Sequence, residues 1–306
     1  MAKTSGRTRG RIASRLAAAA VTAALVATGA SAVAADNPGK SATDAKPKAK
    51  TGVTAPRSNS LAAVSYFALY GVERDGFVYG YAPDGNGGLE SRQYSGYGWD
   101  RTRDIAQTDL NNDGHADGFW ARQNNGDLLY QPFGGQNFKV GGGWNTYNRV
   151  WAVGDLGGAG AGDLIARDGN GYLYLYLGYG NGNMTSRYKV GGGWGQYTQI
   201  AGNGDLTGDG KADIVARDGS GTLYLYKGTG NYKAPFEGRT RIGGGWNAYN
   251  TLVSVGDITG DGRTDLIARD GSGALWRYSG NGDARDPFES KVKIGNGGWN
   301  TYRLLF

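Results

Sequence analysis

Cysteine is absent from this chain, and histidine occurs only once, as His115. Without cysteine, the chain can form neither a disulfide framework nor a cysteine nucleophile. The single histidine lies inside an Asp-rich loop, which excludes Ser-His activation as well. A carboxylate pair could still hydrolyse glycosides, but nearly all of the repeated Asp residues are accounted for by such loops and by Asp-Gly turns. The sequence therefore predicts that the protein is not an enzyme.

An excess of basic residues is lacking in the part of the chain that is predicted to fold. The 306-residue chain carries a formal charge of +6, but its first 60 residues contain ten Lys or Arg and only two Asp. Residues 61–306 therefore hold 23 basic and 25 acidic residues, a net charge of −2. This balance excludes the basic surface that nucleic-acid binding needs.

The N-terminal 60 residues have the composition of an export signal followed by a linker. Residues 1–35 contain five basic residues and no acid, and an Ala/Val/Leu run then ends in small residues. This order is typical of a secretory signal peptide, and the threonines in the run disfavour a permanent membrane span. Residues 36–60 are rich in Lys, Ser and Thr and are predicted to be a disordered linker. The sequence thus predicts a secreted protein whose fold occupies residues 61–306.

Four Asp-rich loops recur about every 50 residues, starting at Asp109, Asp155, Asp205 and Asp257. Three of them place oxygen-bearing side chains at positions 1, 3, 5 and 9, with Gly at position 6. That spacing can wrap a hard cation such as calcium. The predicted calcium ligands are Asp109, Asn111, Asp113, His115 (backbone carbonyl) and Asp117 in the first loop; Asp205, Thr207, Asp209, Lys211 (carbonyl) and Asp213 in the third; and Asp257, Thr259, Asp261, Arg263 (carbonyl) and Asp265 in the fourth.

The loop that starts at Asp155 departs from the pattern. Gly157 and Ala159 remove two ligands, so this loop is predicted to hold no ion. For the other three, the alternative is that they are plain Asp/Gly turns whose side chains satisfy local amides. If calcium is bound, its role is structural, and we expect it to hold the turn between consecutive repeats.

Each repeat has the pattern of four short strands. In the repeat that opens at Asp205, the strands are predicted at 213–217, 222–227, 239–242 and 251–255, with Gly-rich turns between them. Four short strands per repeat are typical of a β-propeller blade. No helical periodicity is visible beyond the signal segment. The predicted fold class is therefore all-β.

The number of Gly-Trp elements indicates the number of blades. There are five of them but only four Asp-rich loops, and the two ends of the chain explain the difference. Residues 300–306 supply a strand that would precede a fifth loop, and residues 66–71 begin where the strand after it would begin. We therefore predict a five-bladed β-propeller with four short antiparallel strands per blade, closed by joining the C-terminal strand to the N-terminal blade.

These motifs resemble two groups of known propellers. The Asp-x-Thr-Gly-Asp-Gly-x-x-Asp loops resemble the FG-GAP (VCBS-type) repeats of integrin-like propellers. The Gly-Gly-Trp elements, above all residues 293–306, resemble the five-bladed lectin tachylectin-2. The first resemblance implies blades that bind calcium, and the second implies the five-bladed fold and sugar binding. The Asp-Asn-Trp element that contributes to the sugar sites of that lectin has no equivalent in this sequence.

The aromatic side chains of the Gly-Trp elements have two interpretations. They could wedge between blades and bury the area that holds the ring together, or their faces could stack on sugar rings. Paired tyrosines in the strands, such as Tyr174 and Tyr176, are interpreted as ordinary strand residues. The candidate carbohydrate-binding residues are Trp99, Trp144, Tyr147, Trp194, Tyr197, Trp246, Tyr249, Trp299 and Tyr302.

Taken together, the sequence predicts a secreted, monomeric, calcium-binding propeller that recognises glycans on cell surfaces or in the extracellular matrix. Several similar shallow sites on one ring would gain avidity on a multivalent surface. The alternative is an integrin-like scaffold that binds extracellular proteins and no sugar.

Overall fold

The computed structural model describes residues 66–306 together with Val21 and Thr22. Apart from these two residues, the predicted signal peptide (1–35) and linker (36–60) lie outside the described residues. Within the described part, no helix has both the length and the apolar character needed to span a bilayer.

Twenty strands form five sheets of four antiparallel strands, and the five innermost strands surround a central cavity of about 90 Å³. In chain order, the strands are β1 (Val21–Thr22); β2 (Leu69–Glu73), β3 (Val78–Tyr81) and β4 (Gln93–Tyr97) in blade A; β5 (Thr102–Thr108), β6 (Gly118–Gln123), β7 (Leu128–Pro132) and β8 (Phe138–Gly141) in blade B; β9 (Tyr147–Ala152), β10 (Leu164–Asp168), β11 (Leu173–Tyr176) and β12 (Tyr188–Gly191) in blade C; β13 (Tyr197–Ala201), β14 (Ile214–Asp218), β15 (Leu223–Tyr226) and β16 (Thr240–Gly243) in blade D; β17 (Tyr249–Gly256), β18 (Asp265–Asp270), β19 (Leu275–Tyr278) and β20 (Val292–Gly295) in blade E; and β21 (Tyr302–Leu305). Short 3-10 turns cover Trp144–Thr146, Trp194–Gln196, Trp246–Ala248 and Trp299–Thr301.

The two ends of the described propeller meet in blade A. Strand β21 pairs antiparallel with β2, with Gly71 opposite Leu305 and Glu73 opposite Tyr302. It thus becomes the innermost strand of a sheet whose other three strands come from the N-terminal side. This arrangement confirms the predicted five-bladed fold and its closure. The two-residue strand β1 pairs in parallel with the outer strand β4.

Each Asp-rich loop connects two strands of the same blade. The expectation that these loops form the turns between consecutive blades was wrong. Residues 109–117, for example, connect β5 to β6 inside blade B. The sequence repeat was divided one strand too late. Residues 251–255, predicted as the last strand of one repeat, belong to β17, the innermost strand of the following blade. The Gly-Gly-Trp segments make the connections between blades.

A left-handed glycine precedes each 3-10 turn in these connections. Gly245 has a φ of 87°, and the turn that follows begins with Trp246. A side chain at that φ would be strained, so glycine permits the sharp change in direction. The Trp246 N–H then donates to the Gly221 carbonyl in a hairpin of blade D, at 3.0 Å. The start of each turn is thereby attached to the blade that the chain has just left.

Hydrophobic clusters fill the spaces between neighbouring blades. One of them combines Trp120 and Leu128 of blade B with Val150 and Leu164 of blade C. The four other clusters likewise take residues from two adjacent blades. The core is therefore divided into five interblade layers, and burial of their apolar area is the main favourable term in folding.

An arginine side chain also joins each blade to the next. In blade D, the buried Arg217 donates through Nη1 to the carbonyl of Trp246, at 2.9 Å, and to that of Tyr249. We call each such contact an arginine link. The links are Arg122 to Trp144 and Tyr147, Arg167 to Trp194 and Tyr197, Arg217 to Trp246 and Tyr249, Arg269 to Trp299 and Tyr302, and Arg303 to Trp99 and Thr102.

The fifth link uses a different strand. In blade A, Val72 stands on the second strand where Arg217 stands in blade D. Arg303 on the innermost strand β21 instead donates to the carbonyls of Trp99 and Thr102. The ring of five links is therefore complete even at the blade that combines both ends of the propeller.

Replacing Arg217 by leucine should destabilise the whole ring. The substitution leaves two carbonyls between blades D and E without their donor, which should lower the free energy of unfolding by about 2–5 kcal/mol. Thermal unfolding followed by circular dichroism would measure the change. Arg285→Leu, on an exposed loop, is the matched control. An unfolding temperature equal to that of the control would contradict a stabilising role for the link.

Candidate carbohydrate-binding clefts

The Gly-Trp side chains lie between blades. Trp144 is 4% exposed and Trp246 is 8% exposed. The Trp144 ring packs 4.7 Å from the Tyr176 ring, which covers one of its faces. Stacking on a sugar needs an open face, so these indoles are not sugar platforms, and the packing interpretation is the one that the structure supports. The correction applies to the buried rings of Trp99, Trp144, Trp194, Trp246, Tyr147, Tyr197, Tyr249 and Tyr302. Trp299 is half-buried, with its ring 4.4 Å from that of Tyr81, and stays a prediction.

The tyrosine that follows each of four tryptophans is paired with a second tyrosine. In blade C, the hydroxyls of Tyr147 and Tyr176 lie 2.5 Å apart. Burial, reinforced by this neighbour, raises the pKa of Tyr176 well above its ordinary value, so the hydroxyl stays neutral. The other pairs are Tyr197 with Tyr226, Tyr249 with Tyr278, and Tyr302 with Tyr81.

A cation completes each pair at its outer side. In blade C, Arg187 Nη1 donates to the hydroxyl oxygen of Tyr147 at 3.1 Å. Because a guanidinium can only donate, the Tyr147 oxygen accepts from Arg187. The hydrogen bond between Tyr147 and Tyr176 can take either hydroxyl as its donor. The chain of hydrogen bonds connects the surface cation to the buried hydroxyl.

An aromatic ring and a carboxylate lie beside the cation. The Arg187 guanidinium carbon is 4.6 Å from the centre of the Tyr174 ring. The Tyr174 hydroxyl donates to Asp168 Oδ2 at 3.2 Å, and Asp168 Oδ1 accepts backbone N–H groups of its own hairpin. The ring of Tyr174, Arg187 and Asp168 are all half-buried. We call this arrangement of tyrosine pair, cation, aromatic ring and carboxylate a cleft.

The same five positions form a cleft in three other blades. The distance from the cation to the ring centre is 4.4 Å in blade A, 4.3 Å in blade D and 4.5 Å in blade E. The residues, in the order pair, ring, cation and carboxylate, are Tyr302, Tyr81, Tyr79, Arg92 and Glu73 in blade A; Tyr197, Tyr226, Tyr224, Arg239 and Asp218 in blade D; and Tyr249, Tyr278, Trp276, Lys291 and Asp270 in blade E.

Hydrogen bonds favour the charged form of the hairpin carboxylates in blades D and E. In blade E, Asp270 accepts bonds from the Ser272 hydroxyl at 2.6 Å and from Trp276 Nε1 at 2.7 Å. These two bonds, with further backbone bonds, lower the pKa of Asp270 below its ordinary value. In blade D, bonds from Ser220 and the hairpin backbone lower the pKa of Asp218 in the same way. Both clefts therefore present a fixed acceptor beside a cationic donor.

Blade B has none of the five residue types that form the cleft. At the five equivalent positions it has Thr102, Gln131, Leu129, Asn137 and Gln123. The layer between blades A and B is filled by other side chains, such as Trp99 and Phe119, and its arginine link is present. In the four other blades the tyrosine pair and the ring pack in or against the interblade clusters, so packing explains those positions. The cation and the carboxylate belong to none of these clusters, and packing does not explain why they recur in four blades.

The clefts were not found from the sequence. The pairs Tyr174/Tyr176 and Tyr224/Tyr226 were interpreted as ordinary strand residues, and no cation was singled out. The signal was present in the repeats, because alignment of the Asp-Gly turns superposes the aromatic, basic and acidic positions of four blades. Only the pairing register shows that these positions, far apart in the chain, converge.

The Asp-rich loops are organised by their own carboxylates. Asp205 accepts the backbone N–H groups of Thr207, Gly208 and Gly210 at 2.6–2.9 Å. At the last loop position, Asp213 accepts N–H groups from the start of the loop and from Gly228, in the neighbouring turn of the same blade. The loops that start at Asp109 and Asp257 repeat these contacts in large part.

Burial acts against the charge of the last carboxylate in these loops. It raises the pKa of both Asp213 and Asp265 to about 6, and neighbouring carboxylates of the same loop add to the effect. In the second loop, burial raises the pKa of Asp163 to about 8. A divalent cation would relieve this cost, because it stabilises the charged form.

The first, third and fourth loops have the donor chemistry for calcium but are not closed around one point. Among residues 66–306, no three acidic or histidine side chains converge closely enough to hold one ion. Asp209 Oδ2 lies 3.3 Å from Lys227 Nζ, as an ion pair. The buried hydroxyl of Thr207, at a predicted ligand position, has no hydrogen-bond partner. This unpartnered oxygen fits a cation ligand, and the carboxylates would have to turn inward to join it.

Residues 205–268 match the family model described as an FG-GAP-like repeat, which confirms that resemblance for this segment. No curated protein sequence matches the chain.

Three solved structures illustrate the similarity of the fold. AofleA from Arthrobotrys oligospora has a TM-score of 0.44 and 10% identity, over 76% of this chain and 69% of that one. The BP39L lectin from Burkholderia pseudomallei has a TM-score of 0.45 and 14% identity, over 78% and 72%. Prp20p from Saccharomyces cerevisiae has a TM-score of 0.37 and 9% identity, over 75% and 61%. None of these likenesses bears on function. The sheet topology shows an all-β, five-bladed propeller, and residues 205–268 carry an FG-GAP-like repeat.

Proposed function

We propose that the protein is a secreted carbohydrate-binding propeller that uses the clefts of blades A, C, D and E. The observation that supports this function is the repetition of the same five positions in four blades and their joint loss in blade B. The tyrosine pair takes part in interblade packing, but the cation and the carboxylate of each cleft do not. Partly exposed polar side chains that recur beside an aromatic ring are typical of a ligand site.

The chemistry of the cleft suits sugar hydroxyls. Arg187 can donate to hydroxyl oxygens, and the carboxylate oxygens of Asp168 can accept hydrogen bonds from sugar hydroxyl groups. The half-buried Tyr174 ring offers an apolar edge to the C–H groups of a pyranose. Four such clefts on one ring would bind a multivalent glycan far more tightly than any one of them binds a single sugar.

We propose further that the protein is exported and that calcium stabilises its first, third and fourth loops. Export is supported by the basic N-terminus and its Ala-rich run, and a surface glycan is a ligand that an exported protein meets. Calcium is supported by the oxygen-rich spacing of the loops and by the unpartnered Thr207 hydroxyl. The ion would help the loops to keep their buried carboxylates charged.

Removing the cation from all four clefts should abolish glycan binding. The variant combines Arg92→Ala, Arg187→Ala, Arg239→Ala and Lys291→Ala, and its signal on a printed glycan array should fall by about 100-fold or more, because multivalent avidity is lost. Asn137→Ala, at the equivalent position of blade B, is the matched control and should bind as the native protein does.

The array also separates the two candidate functions. If the four-cleft variant binds the array as strongly as the native protein does, the clefts are not the glycan-binding sites. Silence of the native protein on every glycan, together with capture of a deglycosylated extracellular protein, would favour the scaffold alternative.

Chelation should lower the unfolding temperature, because an ion that binds only the folded protein stabilises it by mass action. At calcium tenfold above its dissociation constant, each occupied site contributes about 1.4 kcal/mol. Differential scanning calorimetry with calcium or EDTA would measure the shift. Asp209→Ala and Asp261→Ala should reduce the response, whereas Ala159→Val in the second loop should not. A native protein that unfolds at the same temperature in calcium and in EDTA would exclude the structural ion.

The buried Asp163 should make stability depend on pH. Its folded pKa of about 8 lies above the ordinary value of 3.8, so the folded protein holds the proton more tightly than the unfolded chain. Its contribution to stability is therefore complete below pH 4 and is lost as the pH rises to about 8. Asp163→Asn, which cannot titrate, should flatten the decline in unfolding temperature over this range. Identical pH slopes for variant and native protein would contradict the raised pKa.

A further inference from the structure

We propose that the clefts of blades C, D and E bind acidic sugar units, whose carboxylate or sulfate group is held by a pair of cations on the outer strand. This inference rests on the proposed carbohydrate function and specifies its ligand class. It arises from a second basic residue that lies beside each of these clefts.

The second cation is the cross-strand neighbour of the cleft ring. Lys189 lies opposite Tyr174 in blade C, and Arg241 lies opposite Tyr224 in blade D. In blade E, Lys293 takes the same place opposite Trp276. Each residue follows the first cation of its cleft by two positions, so both side chains point to the same side of the sheet. Each of the three clefts therefore carries two cations at its outer rim.

In blade E, the two cations are close to one ring. Lys291 Nζ lies 4.5 Å and Lys293 Nζ lies 5.7 Å from the centre of the Trp276 ring. In blade C, Lys189 Nζ lies 3.7 Å above the exposed ring of Tyr172. The two cations of blade C thus lie over different rings, since Arg187 lies over Tyr174. In blade E, the two like charges over the Trp276 ring repel each other. An anion placed between them would reduce that repulsion and would lie beside the ring of the cleft.

These cations have no carboxylate partner of their own. Within residues 66–306, none of the six forms an ion pair within 4.0 Å. The hairpin carboxylates are engaged by backbone amides and, in blades C and E, by the ring hydroxyl or indole N–H as well. Glu237 and Glu289 stand two residues before the first cation in blades D and E, but both are exposed and unpaired with it. The cation pairs are therefore open to an external anion.

Blades A and B show that the pairs are not a general property of outer strands. In blade B, Lys139 stands at the second position and is neutralised by Asp127 at 2.7 Å. In blade A, Tyr94 replaces the second cation, and Arg92 is paired with Glu73 at 3.5 Å. Basic residues on edge strands also discourage sheet-to-sheet association. That role would apply equally to blade A, whose outer strand has only Arg92, directly before β4, and no second basic residue.

The test compares binding to three soluble polymers by biolayer interferometry. Hyaluronan carries carboxylates, dextran sulfate carries sulfates, and dextran is neutral. The native protein should bind the two acidic polymers more tightly than dextran, by about tenfold or more at low salt. Raising the salt from about 50 to 300 mM should weaken this binding. A preference for hyaluronan or for dextran sulfate identifies carboxylate or sulfate as the favoured anion.

The variants separate the clefts from the basic N-terminal segment, which every protein in the test retains. The triple variant Lys189→Gln, Arg241→Gln and Lys293→Gln should lose about tenfold in affinity for the acidic polymers. Lys139→Gln, at the same position of blade B, should behave like the native protein. Thermal unfolding would verify that all these exposed substitutions leave the fold intact.

The failures of the two proposals give different results. If the triple variant binds the acidic polymers as well as the native protein does, the acidic-sugar inference is overturned. If the native protein binds neutral array glycans through its four clefts with no preference for acidic ones, that inference also fails, but the carbohydrate function stands. If neither the array nor the polymers depend on any cleft residue, both proposals fail.

Discussion

The arginine links are the contacts on which the arrangement of the blades depends. Each guanidinium extends from one sheet to two carbonyls at the start of the next. One carbonyl belongs to the tryptophan before the innermost strand, and the other belongs to the residue that begins this strand. In four blades, the second of these residues is also the tyrosine at the base of a cleft. A buried cation that lost its carbonyl acceptors would be costly, so neighbouring blades are held at one distance and in one register. The geometry of each cleft follows from that register.

Contacts of the Asp-rich loops, at the end of the blades opposite to the Gly-Trp connections, also hold neighbouring blades together. The Gly162 N–H of the second loop donates to the Asp109 carbonyl of the first, at 2.7 Å, and so connects blades C and B. Within each loop, carboxylates collect the backbone N–H groups of tight turns. The loops therefore connect blades through the main chain, even though each of them belongs to a single blade. Calcium, in this account, would reinforce contacts that are already formed.

Much of the fold could be predicted from the number of repeated motifs in the sequence. Five Gly-Trp elements against four Asp-rich loops predicted both the number of blades and the pairing of the C-terminal strand with blade A. The burial of Trp144 could not be predicted, since a strand-flanking tryptophan has the same local sequence whether its ring faces a neighbouring sheet or water. The arginine links were missed because a bond from Arg217 to two main-chain carbonyls leaves no pattern in the acceptor residues. The clefts needed the strand register, which places Arg187 beside Tyr174 across 13 positions of sequence.

The proposed sugar sites are the four equivalent clefts at the outer rim, and blade B lacks one. A crystal structure of the protein with a bound acidic oligosaccharide tests most directly whether sugar binds at these clefts. We predict sugar density beside Arg187, Arg239 and Lys291, with its acidic group between the paired cations, and no density at Asn137 in blade B. Sugar bound instead at the Gly-Gly-Trp connections, in the central cavity or equally in all five blades would contradict the account.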